Sequence, residues 1–376
     1  MSVRAQALER LETVLPVVAE QAARVDKTAA FPEETIKALR TAGLMGLITP
    51  AAHGGMGGSP TDAAVLVERI ARECGSSAMV ACMHWSGAAV IAAFGSPEVN
   101  REIAAGRHLS TLAFSEAGSR SHFWAPVSTA TAAGDDVVLD ATKSWATSAR
   151  NATAYVWSSK PMAAEGFSTI WLVEQNRPGL SVPAPFDGLG LRGNDSAPVT
   201  AKGVRIPKKN MLGEDGKGFD VMMGVVLPAF QIMNAACSIG LSEAALARAA
   251  AHLTSTSFAH MGGSPLSDLP TVRAYLAKAK VKADMARTHW EDTLAAIDGG
   301  RADTMLRVLE VKAAAAETAL EVTAICMRVC GGAAFSKAVA VEPRFRDAQA
   351  GSVMGPTSDV LYDFIGKATL GLPLFG

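Results

Sequence analysis

Apolar residues recur every three or four positions through the first third of the chain, which is the period of an amphipathic α-helix. Turn-forming residues interrupt this period at 31–34, in the glycine-rich segment 53–58 and at 95–97. The glycine-rich segment follows no strand-like run and precedes no Lys-Ser or Lys-Thr pair, so we interpret it as a loop between helices rather than a phosphate-binding loop. The pattern predicts an all-α domain over residues 1–110.

The pattern then changes to short runs of β-branched and aromatic residues separated by Gly, Asp and Pro. The runs at 136–140, 154–157 and 169–173 show this best. They predict a compact antiparallel β-domain over residues 111–218.

The helical period returns over residues 219–376. Four long segments carry it: 219–254, 271–298, 302–329 and 352–370. An antiparallel four-helix bundle would bury the apolar faces of such segments. Strands and helices do not alternate along the chain, so the prediction is an α+β protein and not a parallel nucleotide-binding sheet.

Composition narrows the class of partner. The chain of 376 residues carries 35 Lys and Arg against 36 Asp and Glu, so no net field favours nucleic acid or an anionic membrane, and a small-molecule partner is expected. The five cysteines lack metal-site spacing and suit reduced thiols in a cytoplasmic protein, so no metal is expected. The N-terminal segment mixes charged with apolar residues, unlike a secretory signal, and no apolar stretch is expected to span a membrane.

Two segments of the β-domain carry a family resemblance. Residues 113–119, Ala-Phe-Ser-Glu-Ala-Gly-Ser, are similar to the Thr-Glu-Pro-x-Ala-Gly-Ser-Asp segment of the FAD-dependent acyl-CoA dehydrogenase superfamily. Residues 134–148 are similar to its Gly-Asp-x-x-x-Leu-Asn-Gly-x-Lys-x-Trp-Ile-Thr-Asn signature. The resemblance extends from about residue 31 to 366 and implies that family's order of an α-helical domain, a β-domain and a helical bundle.

The resemblance implies an FAD site in the β-domain. Trp145 is expected to cover one face of the isoalloxazine ring, and the Thr147 hydroxyl is expected near flavin N5. Two residues apart on one strand, these side chains would point the same way. The segment 113–119 would supply further contacts to the flavin, and its candidate residues are Phe114, Ser115, Gly118 and Ser119.

The other end of the FAD site is implied in the bundle. The turn at Gly331 and Gly332 resembles the one that approaches the adenosine half of FAD across a subunit interface, with Thr357 and Asp359 nearby, and this implies a homodimer or homotetramer. The Arg of the family's Arg-x-x-Phe-Gly phosphate clamp has no counterpart in 259–263. Arg328 is a candidate replacement for it. The alternative is an arginine lying along the bundle surface.

The usual base of the family has no counterpart. Acyl-CoA dehydrogenation requires a carboxylate that takes the α-proton, and alignment of Thr357 with the Thr of the family's Glu-Gly-Thr places Gly355 where that Glu would stand. The alternative location on the first bundle helix, 226–231, also lacks a carboxylate. The remaining candidates are Asp359, His122 and Glu116, of which Glu116 is interpreted first as a structural carboxylate.

The segment after the first flavin motif departs from the family pattern. Ser119, Arg120 and His122 are candidate substrate-binding residues, with Arg120 suited to an anionic substrate or a CoA phosphate and His122 to proton exchange. A solvent-facing loop is the equal alternative.

Four functions remain open at this point. The first is an acyl-CoA dehydrogenase-like oxidoreductase acting on an acyl thioester, with a relocated base or a base supplied by a second family member in a hetero-oligomer. It would pass electrons to an electron-transfer flavoprotein. The second is a monooxygenase of the same fold, fed by a flavin reductase. A flavin-assisted lyase and a non-catalytic assembly subunit are the others.

Overall fold

The computed structural model describes residues 1–119 and 121–375. Helices make up the first part of the chain, as predicted. They are α1 (Val3–Glu12), α2 (Leu15–Thr28), α3 (Glu33–Thr41), α4 (Pro60–Glu73), α5 (Gly75–Phe94) and α6 (Pro97–Ala104). The glycine-rich segment 53–58 is a loop between α3 and α4, which confirms its interpretation.

Helix α5 is the central element of this part. It is apolar on every side, and its residues from Gly75 to Ile91 are buried. Two of its polar side chains make hydrogen bonds to the backbone of other segments. Trp85 Nε1 donates to the Leu44 carbonyl at 3.1 Å, and the backbone N–H of Ser110 donates to His84 Nδ1 at 3.1 Å. The second bond joins the helical part to the start of the β-domain.

Two sheets form the β-domain. One has the order β1-β4-β5 and the other the order β2-β3-β7-β6. The strands are β1 (Ser110–Ala113), β2 (Thr129–Ala133), β3 (Asp136–Ala146), β4 (Ala154–Ser159), β5 (Thr169–Glu174), β6 (Leu180–Ser181) and β7 (Ala197–Pro207).

One strand pair departs from the antiparallel prediction. β1 pairs with β4 in parallel, while the other pairs in these two sheets are antiparallel. A parallel pair needs a long crossover connection, and residues 114–153, which include β2 and β3, provide it. The run lengths and turns on which the prediction rested carry no information about this long-range pairing.

The first helix of the bundle contains a π-helical turn between two α-helical parts. It starts as α7 (Gly218–Val221), passes through a π-helical turn at Met222–Val226 and continues as α8 (Leu227–Ser255). A short hairpin follows, whose strands β8 (Ser257–Phe258) and β9 (Ser264–Pro265) have two residues each. The long helices α9 (Pro270–Asp298) and α10 (Thr304–Cys330) come next.

The prediction of one continuous helix over 352–370 is wrong. The structure has α11 (Glu342–Val353) and α12 (Ser358–Thr369) instead. Between them Met354 and Thr357 have extended backbone, and Pro356 provides no N–H for a helical hydrogen bond. The break places the turn 354–357 against the β-domain loop at Ser121, whose hydroxyl accepts from the Thr357 N–H at 2.9 Å.

Three helices are long and apolar enough to cross a membrane by length and composition, contrary to the expectation from sequence. In the most apolar windows of 75–94, 218–255 and 304–335, the buried shares are 83%, 78% and 39%. Burial in the protein core accounts for most of the apolar surface of the first two. The segment 75–94 also contains no Asp, Glu, Lys or Arg that would interrupt it.

All five cysteines are buried and free, which confirms their interpretation as reduced core residues. Burial raises the pKa of their thiols, for Cys82 to about 12, so these groups stay protonated at neutral pH. In the part of the chain that the structure describes, no three His, Cys, Asp or Glu side chains are grouped to hold a metal ion.

Candidate functional site

A cavity lies where the helical part, the β-domain and the bundle meet, and its volume is about 440 Å³ when the open solvent at its mouth is included. Helix α5, the end of β1, strand β3, the first turns of the bundle and the turn after α11 each contribute to its wall. The lining residues are Met83, Leu112, Phe114, Ser115, Phe123, Trp145, Val226, Leu227, Phe230, Gly355 and Pro356. None of these side chains titrates, so the wall suits an apolar group and offers no base.

Trp145 presents a large aromatic face at this cavity. Its side chain is 59% exposed although both Lys143 and Ala146 on the same strand are buried. The Phe186 ring packs on it with centroids 3.7 Å apart and planes inclined by 32°. The N–H of Ser144 donates to the Ser115 carbonyl at 2.8 Å, which ties this strand to the segment after β1. An exposed indole beside an apolar cavity fits a planar aromatic ligand such as a flavin ring.

Thr147 does not share this exposed position. Strand β3 ends at Ala146, and Thr147 lies in the following turn, 3% exposed, with its hydroxyl 3.3 Å from that of Ser196. The expectation that Trp145 and Thr147 lie on one strand is therefore wrong. The tight turn after Ala146 was not visible in the alternation of residue types.

Glu116 is held inside the β-domain and does not line the cavity. One carboxylate oxygen accepts from Lys143 and from the Ser128 hydroxyl, and the other accepts from the backbone N–H of Val127 at 2.7 Å. Burial alone would raise the pKa of Glu116, but the charge of Lys143 and these hydrogen bonds outweigh it and hold the pKa below its usual value. The carboxylate is a structural group, as the sequence interpretation preferred.

The other two candidate bases also lie outside the cavity wall. His122 is exposed, with its ring centroid 5.0 Å from that of Trp124. Asp359 is exposed in the first turn of α12, and the Thr357 side chain caps this helix by accepting from the Val360 N–H. Arg120 lies outside the described residues. Among the described candidates, none brings a carboxylate or an imidazole to the cavity.

The turn that follows Glu116 is compact. The Ser119 N–H donates to the Glu116 carbonyl at 3.2 Å, and the Ser119 side chain is 8% exposed. Gly118 is exposed and has Val127 as its nearest neighbour. Of the four residues expected from this segment, Phe114 and Ser115 line the cavity, whereas Gly118 and Ser119 belong to the turn beside it.

The glycine pair after α10 forms an open surface. A Cβ placed on Gly331 or Gly332 would meet no atom of the described residues within 4 Å, and Phe335 is 87% exposed in the same turn. The Arg328 guanidinium stacks over the Tyr275 ring at 4.4 Å on the bundle surface. Neither glycine nor Arg328 lines the cavity.

Sequence reasoning missed several residues at and behind the cavity. Met83 and Phe230 line it. Lys312 is fully buried behind it, where its Nζ donates to the carbonyls of Met354 at 3.0 Å and Pro356 at 2.8 Å. Burial lowers the pKa of this lysine to about 7. A single Lys at the start of an alanine-rich run was the one available signal.

The chain matches the family models named acyl-CoA dehydrogenase N-terminal domain over residues 6–106, middle domain over 111–204 and C-terminal domain over 216–370. The mitochondrial short-chain specific acyl-CoA dehydrogenase of Bos taurus is 30% identical over 348 residues, which cover 90% of this chain and 83% of that protein.

Solved structures share the fold. Butyryl-CoA dehydrogenase from Megasphaera elsdenii superposes with a TM-score of 0.89 at 23% identity, over 97% of this chain and 98% of that one. A chain from the structure of the electron transferring flavoprotein of Acidaminococcus fermentans gives a TM-score of 0.89 at 24% identity, over 98% and 97%.

Proposed function

Because the chain belongs to the acyl-CoA dehydrogenase family, we propose that it is an FAD-dependent oxidoreductase subunit that acts on an acyl thioester and obtains its base from another chain. The observation that carries this proposal is the cavity wall, which combines an exposed indole at Trp145 with no titratable side chain. Gly355 is part of that wall, and we align this residue with the Glu of the family.

The residues present fit a flavin ring. Trp145 offers an open aromatic face, and Phe186 packs on it and limits its motion. When bound, FAD supplies a hydride acceptor. The role of this chain is to orient the ring, to exclude water with Phe114, Phe123 and Phe230, and to hold the apolar part of the substrate.

Removal of the substrate's α-proton is the step for which the cavity wall of this chain supplies no group. Abstraction of an α-proton needs a group within hydrogen-bonding reach of the reacting carbon. Glu116 is saturated by Lys143, Ser128 and Val127, while His122 and Asp359 lie outside the wall. A second family member that carries the Glu is therefore preferred to a relocated base within this chain.

The exposed turn at Gly331 and Gly332 fits such an arrangement. With no atom of the described part of the chain within 4 Å of either built Cβ, a cofactor or another backbone can approach closely. We propose that this turn and Arg328 contribute to the flavin site of the neighbouring subunit. An electron-transferring flavoprotein is the proposed acceptor, on the likeness to the Acidaminococcus fermentans structure.

The test is an anaerobic absorbance titration of the FAD-loaded chain with butyryl-CoA and octanoyl-CoA. We expect the visible flavin band to persist with this chain alone and to disappear when the chain is co-purified with a second family member that carries the Glu. An active butyryl-CoA dehydrogenase serves as the positive control. Loss of the band with this chain alone would overturn the external base.

A monooxygenase is the second candidate, because oxygen chemistry at a reduced flavin needs no α-proton base and the wall offers none. It predicts no bleaching with or without the second family member. It also predicts a product that forms only with NADH, a flavin reductase and oxygen. The two outcomes separate the candidates.

A further inference from the structure

A cluster of aromatic rings connects the cavity wall with the segment after α12. Phe123 forms its inner end, because it lines the cavity and its ring lies nearly parallel to that of Phe114, with centroids 6.4 Å apart. The neighbouring Trp124 is 9% exposed and meets the Phe123 ring edge to face at a centroid distance of 5.4 Å. Aromatic pairs of this geometry attract each other beyond the area that they bury, so movement of Trp124 would also move Phe123.

Phe375 forms the outer end of the cluster. Its ring meets that of Trp124 edge to face at 5.3 Å. It also contacts Phe219 of α7 at 5.0 Å and Phe364 of α12 at 5.2 Å. Trp124 itself packs on Phe364 at 5.6 Å. Phe375 thus joins the loop that carries Phe123 to two helices of the bundle.

Hydrogen bonds fix the start of the loop 121–125 and its internal turns. The N–H groups of His122 and Ala125 donate to the carbonyls of Ser119 and His122, each at 3.0 Å. The Ser121 hydroxyl accepts from the Thr357 N–H at 2.9 Å, which ties the start of the loop to the turn before α12. The end of the loop is tied to the bundle by the aromatic cluster.

Phe375 is the member of this cluster that can leave it most easily. Helix α12 ends at Thr369, and the segment 371–375 is irregular. Segments outside helices and strands open at a lower free-energy cost than the elements of the core. Departure of Phe375 would remove one of the two bundle contacts of Trp124 while α7 and α12 stay in place.

We propose that Phe375 is a positioning residue that acts through Trp124 to keep Phe123 in the cavity wall, and thereby keeps the cavity closed around a bound acyl group. The inference deepens the proposed function and rests on it for the identity of that group. Attachment of the loop by Phe375 is independent of the ligand that the cavity binds, so the two parts have separate tests.

The first test is backbone hydrogen exchange of the full chain, measured by mass spectrometry with fragmentation that resolves single residues. We expect Phe375→Ala to raise the exchange rates of the His122 and Ala125 N–H groups about threefold to tenfold, because the loop opens more often when it loses the ring contact. Unchanged exchange at both residues would overturn the proposal.

An internal reference lies next to the loop. The N–H groups of Val127 and Ser128 donate to the Glu116 carboxylate at 2.7 and 3.0 Å, inside the β-domain. Their exchange in Phe375→Ala should stay as in the wild type. A rise at these two residues as large as that in the loop would show that the substitution loosens the whole domain, and this would also overturn the proposal.

Two further variants separate the ring from the segment that carries it. Phe375→Tyr retains a ring of the same size, so exchange in the loop should match that of the wild type. Leu372→Ala removes a side chain that is 52% exposed in the same irregular segment, and it should also leave the loop unchanged. Equal loosening of the loop by Leu372→Ala and Phe375→Ala would contradict a specific role of the Phe375 ring.

The second test is the dissociation rate of octanoyl-CoA from the FAD-loaded protein, followed by the flavin spectrum. Phe375→Ala should release this thioester about threefold to tenfold faster at unchanged FAD content, and Phe375→Tyr should restore the slow rate. Equal rates despite a loosened loop would overturn the closing role. If octanoyl-CoA does not bind even to the wild type, the proposed function fails, and hydrogen exchange still decides whether Phe375 holds the loop.

Discussion

Lys143 donates a hydrogen bond to Glu116 inside the β-domain, where the two side chains are 0% and 2% exposed. The ammonium also donates to the Ser158 carbonyl at 2.7 Å, so the pair is embedded in a closed polar network. Removing one partner leaves the other as a buried charge without its counter-ion. Loss of one partner therefore destabilises the fold by more than the intact pair stabilises it.

Glu116→Gln should therefore lower the free energy of unfolding at neutral pH by about 3–5 kcal/mol. Because the pKa of Glu116 is below its usual value in the folded chain, its stabilising contribution is present above the unfolded pKa of about 4.5 and is lost as pH falls through the folded pKa. Urea unfolding followed by tryptophan fluorescence from pH 7 to pH 3 measures both effects. The paired substitution Glu116→Gln with Lys143→Met should recover part of the loss, and equal losses in the single and paired variants would contradict the assignment.

The lowered pKa of Lys312 leads us to expect a pH dependence of stability with the same sign as that of Glu116, but in a higher pH range. The pKa of this lysine in the folded chain is lowered to about 7 by burial, so the unfolded chain binds more protons between pH 7 and about pH 10. Stability contributed by this residue should rise with pH across that window, by at most about 1.4 kcal/mol per pH unit. Comparison with Lys312→Met by denaturant unfolding at pH 7, 8 and 9 isolates the effect. Parallel stability curves for the two proteins would show that Lys312 keeps an ordinary pKa.

Gly355 offers space for the missing carboxylate. The three atoms nearest to a Cβ built at this position belong to Ser121, at an ordinary contact distance of 3.9 Å, and the backbone lies outside the left-handed region. Gly355→Glu should let the FAD-loaded chain reduce its flavin with butyryl-CoA at least about a hundredfold faster than the wild type. Stopped-flow absorbance under anaerobic conditions measures the rate.

Gly355→Gln is the matched control for this gain, because it has the same size and no basic oxygen. It should behave like the wild type. If Gly355→Glu retains FAD and binds butyryl-CoA but leaves the flavin oxidised, the cavity does not place the α-carbon beside residue 355.

We expect the exposed face of Trp145 to contribute to the affinity for FAD. Replacement by leucine removes the stacking face and should weaken FAD binding about threefold to tenfold, because aromatic pairs contribute roughly 0.5–1.5 kcal/mol beyond the area they bury. Phe186→Leu should produce a smaller loss through increased freedom of the indole. Titration of the apoprotein with FAD, followed by quenching of flavin fluorescence, measures both. Unchanged affinity in Trp145→Leu would remove this residue from the flavin site.

Arg328 has two interpretations that one experiment separates. Its guanidinium stacks over Tyr275 on the bundle surface, and the planar set of guanidinium N–H groups is suited to phosphate oxygens. If it binds the pyrophosphate, Arg328→Ala should lose FAD on gel filtration while Tyr275→Leu, which removes only the stacking partner, retains most of it. Full FAD occupancy in Arg328→Ala would leave the arginine a surface residue.

Local patterns predicted most of the elements and motifs placed the cavity, but three features escaped them for physical reasons. The parallel pairing of β1 with β4 is a long-range contact, and the turn at Thr147 interrupts an alternation that looked continuous. Gln231 and Asn234 are buried amides on α8, a helix whose apolar period looks ordinary in the sequence. Their burial depends on which elements pack around α8, and that is a long-range property.

The candidate cofactor residues divided in the same way. Phe114 and Ser115 directly follow β1, Trp145 lies on β3, and all three line the cavity. The hydrogen bond from the Ser144 N–H to the Ser115 carbonyl holds these two segments together. Asp359 and His122 were candidate bases because each can take a proton and because the resemblance placed their segments near the flavin site. Their orientation depends on how α12 begins and on how the loop after Ser119 turns, and neither is encoded in residue type.

The π-helical turn at Met222–Val226 accommodates one more residue than an α-helical path of the same length. It places the consecutive residues Val226 and Leu227 together on the cavity wall. Deletion of one residue here would convert the segment to regular α-helix and rotate everything before it by about 100°, swinging Phe219 away from its contacts with Phe167 and Phe375. Gain or loss of a single codon at this turn would therefore change the shape of the pocket. The long helix after the turn would keep its place in the bundle.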